Sequence, residues 1–235
     1  MRKQRHDPSF RLPEQIITDR SLSISARELA ITIFSHVDPN GRLCMSQRRL
    51  ASLSGLCRDT VRRAAQELVD AGYISIVHRR AHWDRDSSRY VKRSNLYFCT
   101  IPNKCYVLVS YRLLRRSRVR SVRGASLLVL VYLRSMMGRH GRCWPSVSKI
   151  AQDTGLALST VHIAINLLES LSLIVRQHCI KRNGAYSSNS YFLLLERVSD
   201  EIKCPSEIQA NRDKLKITGV STRGREYHLR ASKSR

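Results

Sequence analysis

The sequence has no apolar stretch long enough to cross a bilayer, which takes about 20 residues. The longest apolar runs are Leu127–Leu133, which fits a buried helix, and Tyr191–Leu195, which fits a buried strand. The N-terminus, residues 1–6, is basic but leads into no apolar core, so we expect no secretion signal. These absences predict a cytoplasmic protein.

Paired cysteines are also absent, because none of the seven forms a C-x-x-C pair. A zinc ribbon and a redox dithiol are therefore not indicated, and the odd count with irregular spacing is typical of reduced thiols. The sequence shows no phosphate-binding glycine loop, carboxylate pair, oxyanion-hole motif or metal cluster. We therefore expect no metal, no cofactor and no enzymatic activity.

Acidic residues are scarce, with 18 Asp and Glu against 42 Lys and Arg, and the formal net charge is +24. Such an excess destabilises a compact chain through self-repulsion unless an anionic partner neutralises it. Nucleic acid is the first candidate partner, and an anionic membrane surface is the weaker second. The hydrophobic fraction of 42% is normal for a folded protein, and 235 residues accommodate two small domains.

The chain contains two copies of one pattern, since the segments 41–61 and 141–161 align 100 residues apart without a gap. Upstream, Leu29–Phe34 parallels Leu128–Leu133, one residue out of that register. The positions that recur 100 residues later are Gly41, Arg42, Ser46, Ala51, Gly55, Leu56, Thr60, Val61, Ala64, Leu68 and Ile74.

Each copy predicts three helices followed by two strands. Ser46 and Ser146 suit helix N-caps, and Gly55 and Gly155 suit left-handed helix ends. Helices are expected at about 25–37, 46–55 and 58–71, and at about 124–137, 146–155 and 158–171. Strands are expected at about 74–80 with 94–101 and at about 174–180 with 189–195, and the polar segment between each pair is a wing.

The sequence Ala51-x-x-x-Gly55-Leu56, followed by an amphipathic helix, predicts a helix-turn-helix. Ala51 is small where two helices cross closely, and Gly55 lets the chain turn. The outer face of the third helix is then free to enter a DNA major groove, which is wide enough for one helix. We expect a mainly α fold with small β-wings (α+β), made of two tandem winged helix-turn-helix domains and a basic C-terminal tail.

The first copy offers a basic reading helix. Arg62 and Arg63 have the reach for guanine O6 and N7, whereas Arg58 and Thr60 suit phosphate; a solvated, merely soluble helix face is the alternative. The candidates on this helix are Arg58, Asp59, Thr60, Arg62, Arg63 and Gln66. Those on the second helix and the wing are Ser46, Gln47, Arg48, Arg79, Arg80, Arg85, Arg89, Lys92 and Arg93.

The third helix of the second copy contains no Lys or Arg. Ile163 is unusual on a groove-facing surface and ordinary in a protein contact. Two interpretations stay open: weak DNA reading, or a surface for a homodimer or for replication or transcription proteins. The DNA-contact candidates of this copy are Ser146, Ser148, Ser159, Thr160, His162, Asn166, Lys181 and Arg182.

Outside the two copies the chain is strongly basic. The predicted boundaries are a basic N-terminal arm at 1–19, domain 1 at 20–103, a basic linker and start of domain 2 at 104–123, domain 2 at 124–196 and a basic tail at 197–235. A small hairpin in that tail, at 214–220 and 226–230, stays open. Charge runs are usually solvated, but between two DNA modules one favours backbone contact. The linker candidates for phosphate are Arg115, Arg116, Arg118, Arg120 and Arg123.

The segment from Gly141-Arg142-Cys143-Trp144-Pro145-Ser146 to Leu168 resembles the helix-turn-helix domain common in replication and regulatory proteins of phages, plasmids and other mobile elements. The first copy has Cys44-Met45-Ser46 in place of Trp-Pro-Ser, and the serine that often precedes the third helix is Cys57 or Ala157. The tandem layout resembles plasmid replication initiators, which bind repeated origin sequences as monomers, and it also mimics a dimeric regulator.

The resemblance and the charge together predict a sequence-specific double-stranded DNA-binding protein associated with the nucleoid. We expect a transcriptional regulator of a mobile genetic element in which the first copy dominates. The alternatives are a plasmid or phage replication initiator and a non-specific architectural nucleic-acid-binding protein. RNA is disfavoured, because the A-form major groove excludes a helix and the usual aromatic stacking platform is missing from the sequence.

Overall fold

A computed structural model describes residues 8–79, 82–84, 88–91, 94–102, 104–137, 141–177 and 188–194, all within one unit of the chain. The first copy comprises β1 (Ser9–Pro13), α1 (Glu14–Thr18), α2 (Ile24–Phe34), β2 (Arg42–Met45), α3 (Gln47–Ser54), α4 (Arg58–Asp70), β3 (Ile74–Val77), β4 (His82–Asp84), β5 (Arg89–Val91) and β6 (Asn95–Cys99). The second comprises β7 (Tyr106–Ser110), α5 (Tyr111–Val119), α6 (Gly124–Met136), β8 (Arg142–Cys143), α7 (Val147–Thr154), α8 (Leu158–Ser170), β9 (Ile174–Gln177) and β10 (Ser190–Leu193).

Both copies contain the predicted helix-turn-helix. The Ser46 hydroxyl accepts a hydrogen bond from the Arg49 N–H at 3.2 Å, and the Ser146 hydroxyl accepts one from the Lys149 N–H at 3.1 Å. α3 ends at Gly55 with φ 72°, and α7 ends at Gly155 with φ 69°. The left-handed region costs glycine nothing because it has no Cβ, so the predicted caps and turns are confirmed.

Each copy closes with a small antiparallel sheet, in the order β2-β6-β3 in the first and β8-β10-β9 in the second. The paired strands β3 with β6 and β9 with β10 confirm the predicted strand pairs. β2 and β8 were not predicted, because four and two residues are too short to show an alternating pattern. In the first wing β4 pairs with β5, whereas the second wing, 178–187, lies outside the described residues.

Two basic segments contain secondary structure that the sequence did not predict. Residues 9–18, within the predicted N-terminal arm, form β1 and α1, and residues 106–119, within the predicted linker and start of domain 2, form β7 and α5. Alternation explains β1, because Phe10 and Leu12 are buried while Arg11 is exposed. Likewise Leu113 and Leu114 bury one side of α5 between arginines. Residues 1–7 and the predicted tail at 197–235 lie outside the described residues, and the predicted domain boundaries stay predictions.

The long first helices of the copies lie at the centre of the core. Nine of the eleven residues of α2 are buried, as are eight consecutive residues of α6, Ser126–Leu133. A helix that is apolar on all sides needs neighbours on all sides. α2 packs on α4 and α6, and α6 packs on α8, so the two copies share one core. The predicted α+β fold with two tandem winged helix-turn-helix units is confirmed.

In the part of the chain that the structure describes, no helix is both long and apolar enough to cross a membrane.

Candidate nucleic-acid interface

α4 presents the basic face that the sequence predicted. Val61, Ala64, Ala65 and Leu68 hold its inner face in the core. The outer face exposes Arg58, Asp59, Arg62, Arg63 and Gln66, and Thr60 is half-buried near the helix start. The core therefore fixes the orientation of α4 and leaves its arginines in solvent.

The three arginines of this face are available for a ligand. Among the described residues, Arg58, Arg62 and Arg63 have no hydrogen-bond or ion-pair partner. By contrast, the Gln66 amide donates to Asp70 Oδ1 at 2.8 Å and would have to exchange that bond for a base. Because a guanidinium donates two parallel hydrogen bonds, these arginines suit guanine or phosphate.

The start of α4 is capped by sulfur. The Thr60 N–H donates to Cys57 Sγ at 3.4 Å, and the Thr60 hydroxyl lies 3.0 Å from the same atom. The hydrogen bond from the Thr60 side chain lowers the pKa of the Cys57 thiol. In the second copy, Ala157 supplies no side-chain cap. Thr60 thus takes part in the cap of α4.

The predicted contacts of α3 and the wing occupy different environments. Arg48 is exposed at the first turn of α3, Gln47 is half-buried, and the Ser46 hydroxyl serves as the N-cap. Arg79 Nε donates to the Ser94 carbonyl at 2.8 Å, and its guanidinium also reaches Cys44 Sγ at 2.8 Å, so it fastens the base of the wing to β2. Arg89 stands opposite Asp84 in the β4–β5 ladder. The remaining wing candidates, Arg80, Arg85, Lys92 and Arg93, lie outside the described residues.

α8 has the same buried face as α4 and a different outer face. Leu158 is 52% exposed, Ile163 is 68% exposed and Leu167 is 40% exposed. They occupy the positions of Arg58, Arg63 and Glu67 in the first copy. The predicted residues Ser159, His162 and Asn166 are exposed on the same helix, with Thr160 half-buried. α8 therefore exposes a pair of neighbouring apolar side chains, Ile163 and Leu167, while Leu158 is exposed separately at the start of the helix.

The other candidates of the second copy lie on or near α7. Ser146 is the N-cap and Ser148 is exposed in the first turn. Nearby Lys149, which the sequence analysis did not select, forms an ion pair with Asp153 at 2.9 Å. Lys181 and Arg182 lie outside the described residues.

The arginines expected in a linker are spread around α5 and its end. Arg115 and Arg120 are exposed, while Arg116 and Arg118 are half-buried. Burial lowers the pKa of Arg118, whose buried Nη2 has no hydrogen-bond partner in the part of the chain described. The Arg123 guanidinium donates to the Ser54 carbonyl, at the turn between α3 and α4. Arg115 and Arg120 are consequently the ones most open to a phosphate.

Charged residues inside α2 connect the copies, and sequence reasoning missed them. Arg27, only 4% exposed, donates to the carbonyl of Thr154 at 2.6 Å, to that of Ile17 at 3.2 Å and to that of Leu22 at 3.0 and 3.1 Å. Glu28 accepts a hydrogen bond from the Gly124 N–H at the start of α6, at 3.0 Å, and burial raises its pKa. The available signal was an Arg-Glu pair directly before the apolar run of α2.

In the described part of the chain, no group of three or more His, Cys, Asp or Glu side chains is placed to hold a metal ion.

A family model described as a helix-turn-helix domain matches residues 21–74 and 123–174. Comparison with curated proteins finds no match. Each matched segment runs from the start of the central helix, α2 or α6, to the first strand after the reading helix. Domains of this kind place their second motif helix, here α4 or α8, in the major groove. The chain therefore contains two helix-turn-helix domains in tandem, which supports DNA binding.

Proposed function

We propose that the protein binds specific sequences in double-stranded DNA and regulates transcription, with α4 as the dominant reading helix. The observation that carries the proposal is that the exposed guanidinium groups of Arg58, Arg62 and Arg63 lie on the outer face of one helix and have no partner among the described residues. An α-helix fits the major groove of B-DNA, where arginine pairs with guanine O6 and N7.

Basic groups away from α4 favour phosphate contacts that position this helix. Arg48 is exposed in the first turn of α3, Arg115 is exposed on α5, and Arg120 is exposed at the C-cap of α5. Phosphate contacts of this kind set the register of a protein on the duplex but carry no sequence information. The net charge of +24 supports strong, salt-dependent association with the nucleoid.

A regulator is favoured over an architectural protein, because non-specific binding needs charge but no shaped reading helix. Here the core holds α4 through four buried side chains, and its outer face carries both arginine and an amide. The proposal that the regulator belongs to a mobile genetic element rests on the resemblance of the motif 141–168 alone. Binding rather than catalysis is the proposed activity.

Replication initiation is the second candidate, and the outer face of α8 favours it. Ile163 and Leu167 lie four residues apart on α8 and form an exposed apolar pair that would suit a second molecule of the protein or a replication or transcription protein. An initiator would combine such a contact with repeated sites at an origin.

Mapping of binding sites across the chromosome and plasmids of the source cell, with the tagged full chain, tests the proposal. A few peaks upstream of genes that share one motif are expected. One peak over a cluster of direct repeats would instead establish initiation, and a diffuse profile would refute sequence-specific binding. Arg62→Ala with Arg63→Ala should abolish the motif, whereas Arg115→Ala with Arg120→Ala removes equal charge from α5 and should weaken all peaks alike.

A further inference from the structure

The strands that open the two copies pair in a symmetric register. β1 and β7 are antiparallel, with Arg11 opposite Leu108 at the centre and Ser9 opposite Ser110 at one end. Each strand has five residues and leads directly into a helix, α1 or α5, and then into the buried helix α2 or α6. When equivalent strands pair antiparallel about their own middle residues, a local two-fold axis passes through the centre of the ladder.

The helices that follow these strands cross to the other copy in both directions. α1 packs on α6 and α7 of the second copy. In return, Leu114, Arg115 and Arg118 of α5 line a common pocket with Ser35 and His36, at the end of α2. The two central helices, α2 of the first copy and α6 of the second, also pack on each other.

The two turns of the helix-turn-helix motifs are held by exchanged arginines. Arg20, between α1 and α2, donates to the Gln152 carbonyl, and a Cβ at Gly155 would lie 3.1 Å from its Cγ. Arg123, between α5 and α6, donates to the Ser54 carbonyl, and a Cβ at Gly55 would overlap its guanidinium. Each copy thus reaches the turn of the other copy with an arginine from the same segment.

Reciprocal contacts of this kind distinguish a two-fold arrangement from a head-to-tail one. In a two-fold interface the same patch is used on both sides, whereas a head-to-tail interface joins two different patches. A single chain with this arrangement is the covalent counterpart of a dimeric helix-turn-helix protein, whose symmetry is mirrored by inverted half-sites in the DNA.

We infer that one molecule of the protein, with its two repeats, binds two half-sites in inverted orientation. The two half-sites differ in sequence, because α4 contacts guanine and α8 contacts thymine. This inference rests on the proposed function. The difference follows from the outer faces, since arginine pairs with guanine, whereas an aliphatic side chain packs on the thymine C5-methyl group. Ile163 supplies the aliphatic group on α8 where α4 has Arg63, while Asn166 and Gln66 occupy aligned positions and both suit adenine.

The orientation is tested with the full chain and duplexes selected from a random pool. The selected site is rebuilt with the α8 half-site reversed, with either half-site scrambled, and with two α4 half-sites. The inverted, unequal site should bind tightest, at one chain per duplex by native mass spectrometry, and reversal of one half-site should weaken binding at least about tenfold. Equal or tighter binding to the direct arrangement, or two chains per selected site, overturns the inference.

This design separates the two proposals. If selection yields no preferred sequence, specific DNA binding itself has failed. If the selection yields a clear motif with two half-sites in direct orientation, or with one half-site only, the proposed function stands. In that case the inference that the protein binds two inverted half-sites is wrong.

The chemistry of α8 is tested by replacing thymine with deoxyuridine, which deletes only the C5-methyl group. The loss of one buried methyl contact should weaken binding about fourfold when the change lies in the α8 half-site, and very little when it lies in the α4 half-site. Ile163→Ser, at an exposed position, should remove this sensitivity, whereas Arg63→Ala should leave it intact. If Ile163→Ser leaves DNA preference unchanged and only dissociates a homodimer, α8 contacts protein and not thymine.

Discussion

The two reading helices show how a duplicated fold diverges. α4 and α8 have the same pattern of buried and exposed positions over 57–66 and 157–166. On the buried face, Val61, Ala64 and Leu68 of α4 recur as identical residues in α8. On the exposed face, the arginines at positions 62 and 63 of α4 are replaced in α8 by histidine and isoleucine. In the closely packed core a change of side-chain volume lowers the stability of the fold, whereas a solvent-facing position tolerates almost any side chain. The inner face therefore reflects the common fold, whereas the outer face is free to differ between the copies.

The two copies differ just as clearly in how the central helices connect them. α2 carries buried Arg27 and Glu28, whereas the aligned positions of α6 hold Ser126 and Leu127. The two buried charged side chains of the central helices that bond to the other copy therefore both lie in α2, although the backbone arrangement is two-fold. An asymmetric connection of this kind cannot form between two identical chains related by an exact two-fold axis.

The largest effect is expected from breaking that connection at Arg27. Arg27→Met keeps the apolar stem but leaves the buried carbonyl of Thr154, and those of Ile17 and Leu22, without their donor. Because hydrogen bonds to charged groups contribute about 1.5–3 kcal/mol each, we expect the free energy of unfolding to fall by at least about 3 kcal/mol. Urea unfolding followed by circular dichroism measures it.

Ser126→Ala is the matched control for Arg27→Met, because Ser126 holds the equivalent position of α6, and it should change the free energy of unfolding by less than about 1 kcal/mol. A similarly small loss for Arg27→Met would show that water replaces the bonds between the copies.

The reading helices themselves are compared by Arg62→Ala and His162→Ala. Loss of a guanine contact should weaken binding to the selected site by about 10- to 100-fold, with a much smaller change for random DNA, since such a contact contributes about 1–3 kcal/mol of discrimination. His162→Ala should weaken binding to the selected site by less than about threefold. Fluorescence anisotropy with both duplexes measures each Kd, and equal losses of Arg62→Ala on both would reassign Arg62 to phosphate.

Exchanging the residues at the aligned positions 63 and 163 compares how α4 and α8 contribute to the salt dependence of DNA binding. Ile163→Arg gives α8 the cation that α4 carries as Arg63, so binding to random DNA should strengthen and the slope of log K against log salt should steepen by about 0.9. Arg63→Ile should make that slope shallower by the same amount. Titrations from low to moderate salt report both slopes. An unchanged slope for Ile163→Arg would mean that position 163 does not face the duplex.

The smallest effect that we expect is on the pH dependence of stability, and it comes from the buried carboxyl group of Glu28, which has no counterpart in α6. Burial raises the pKa of Glu28, so the native state retains a proton that the unfolded state has lost once the pH passes the usual glutamate pKa, about 4.3. The free energy of unfolding of the wild type should therefore fall as the pH rises through the interval between the unfolded and the folded pKa.

Glu28→Gln should show less of this fall, because its amide oxygen still accepts from the Gly124 N–H and carries no charge. The difference in the free energy of unfolding between wild type and Glu28→Gln, measured by urea unfolding from pH 4 to pH 7, should therefore change with pH in the direction that disfavours the wild type at higher pH. Glu28→Leu copies the residue of α6, loses the hydrogen bond and should be destabilised at every pH. Parallel pH profiles for wild type and Glu28→Gln would contradict the raised pKa.

Local patterns were sufficient to predict the motif elements. Ser46 and Gly55 delimit α3 through bonds within one turn, and the spacing of Val61, Ala64 and Leu68 defines the inner face of α4. The secondary structure of the basic segments was not predicted, because Arg11 and the arginines of α5 dominate their composition, while Phe10, Leu12 and Leu113 are buried. Their burial depends on β1 meeting β7, a partner about 100 residues away.

The sequence by itself determined the duplication, the two helix-turn-helix motifs and the contrast between a basic and an apolar reading helix. Each of these depends on residues within a few turns of one another or on direct comparison of the copies. Only the tertiary structure decided the antiparallel pairing of β1 with β7, the burial of Arg27 and the exchange of Arg20 and Arg123 between the turns. Those features join residues far apart in the chain, so they exist only once the two copies have packed on a common core.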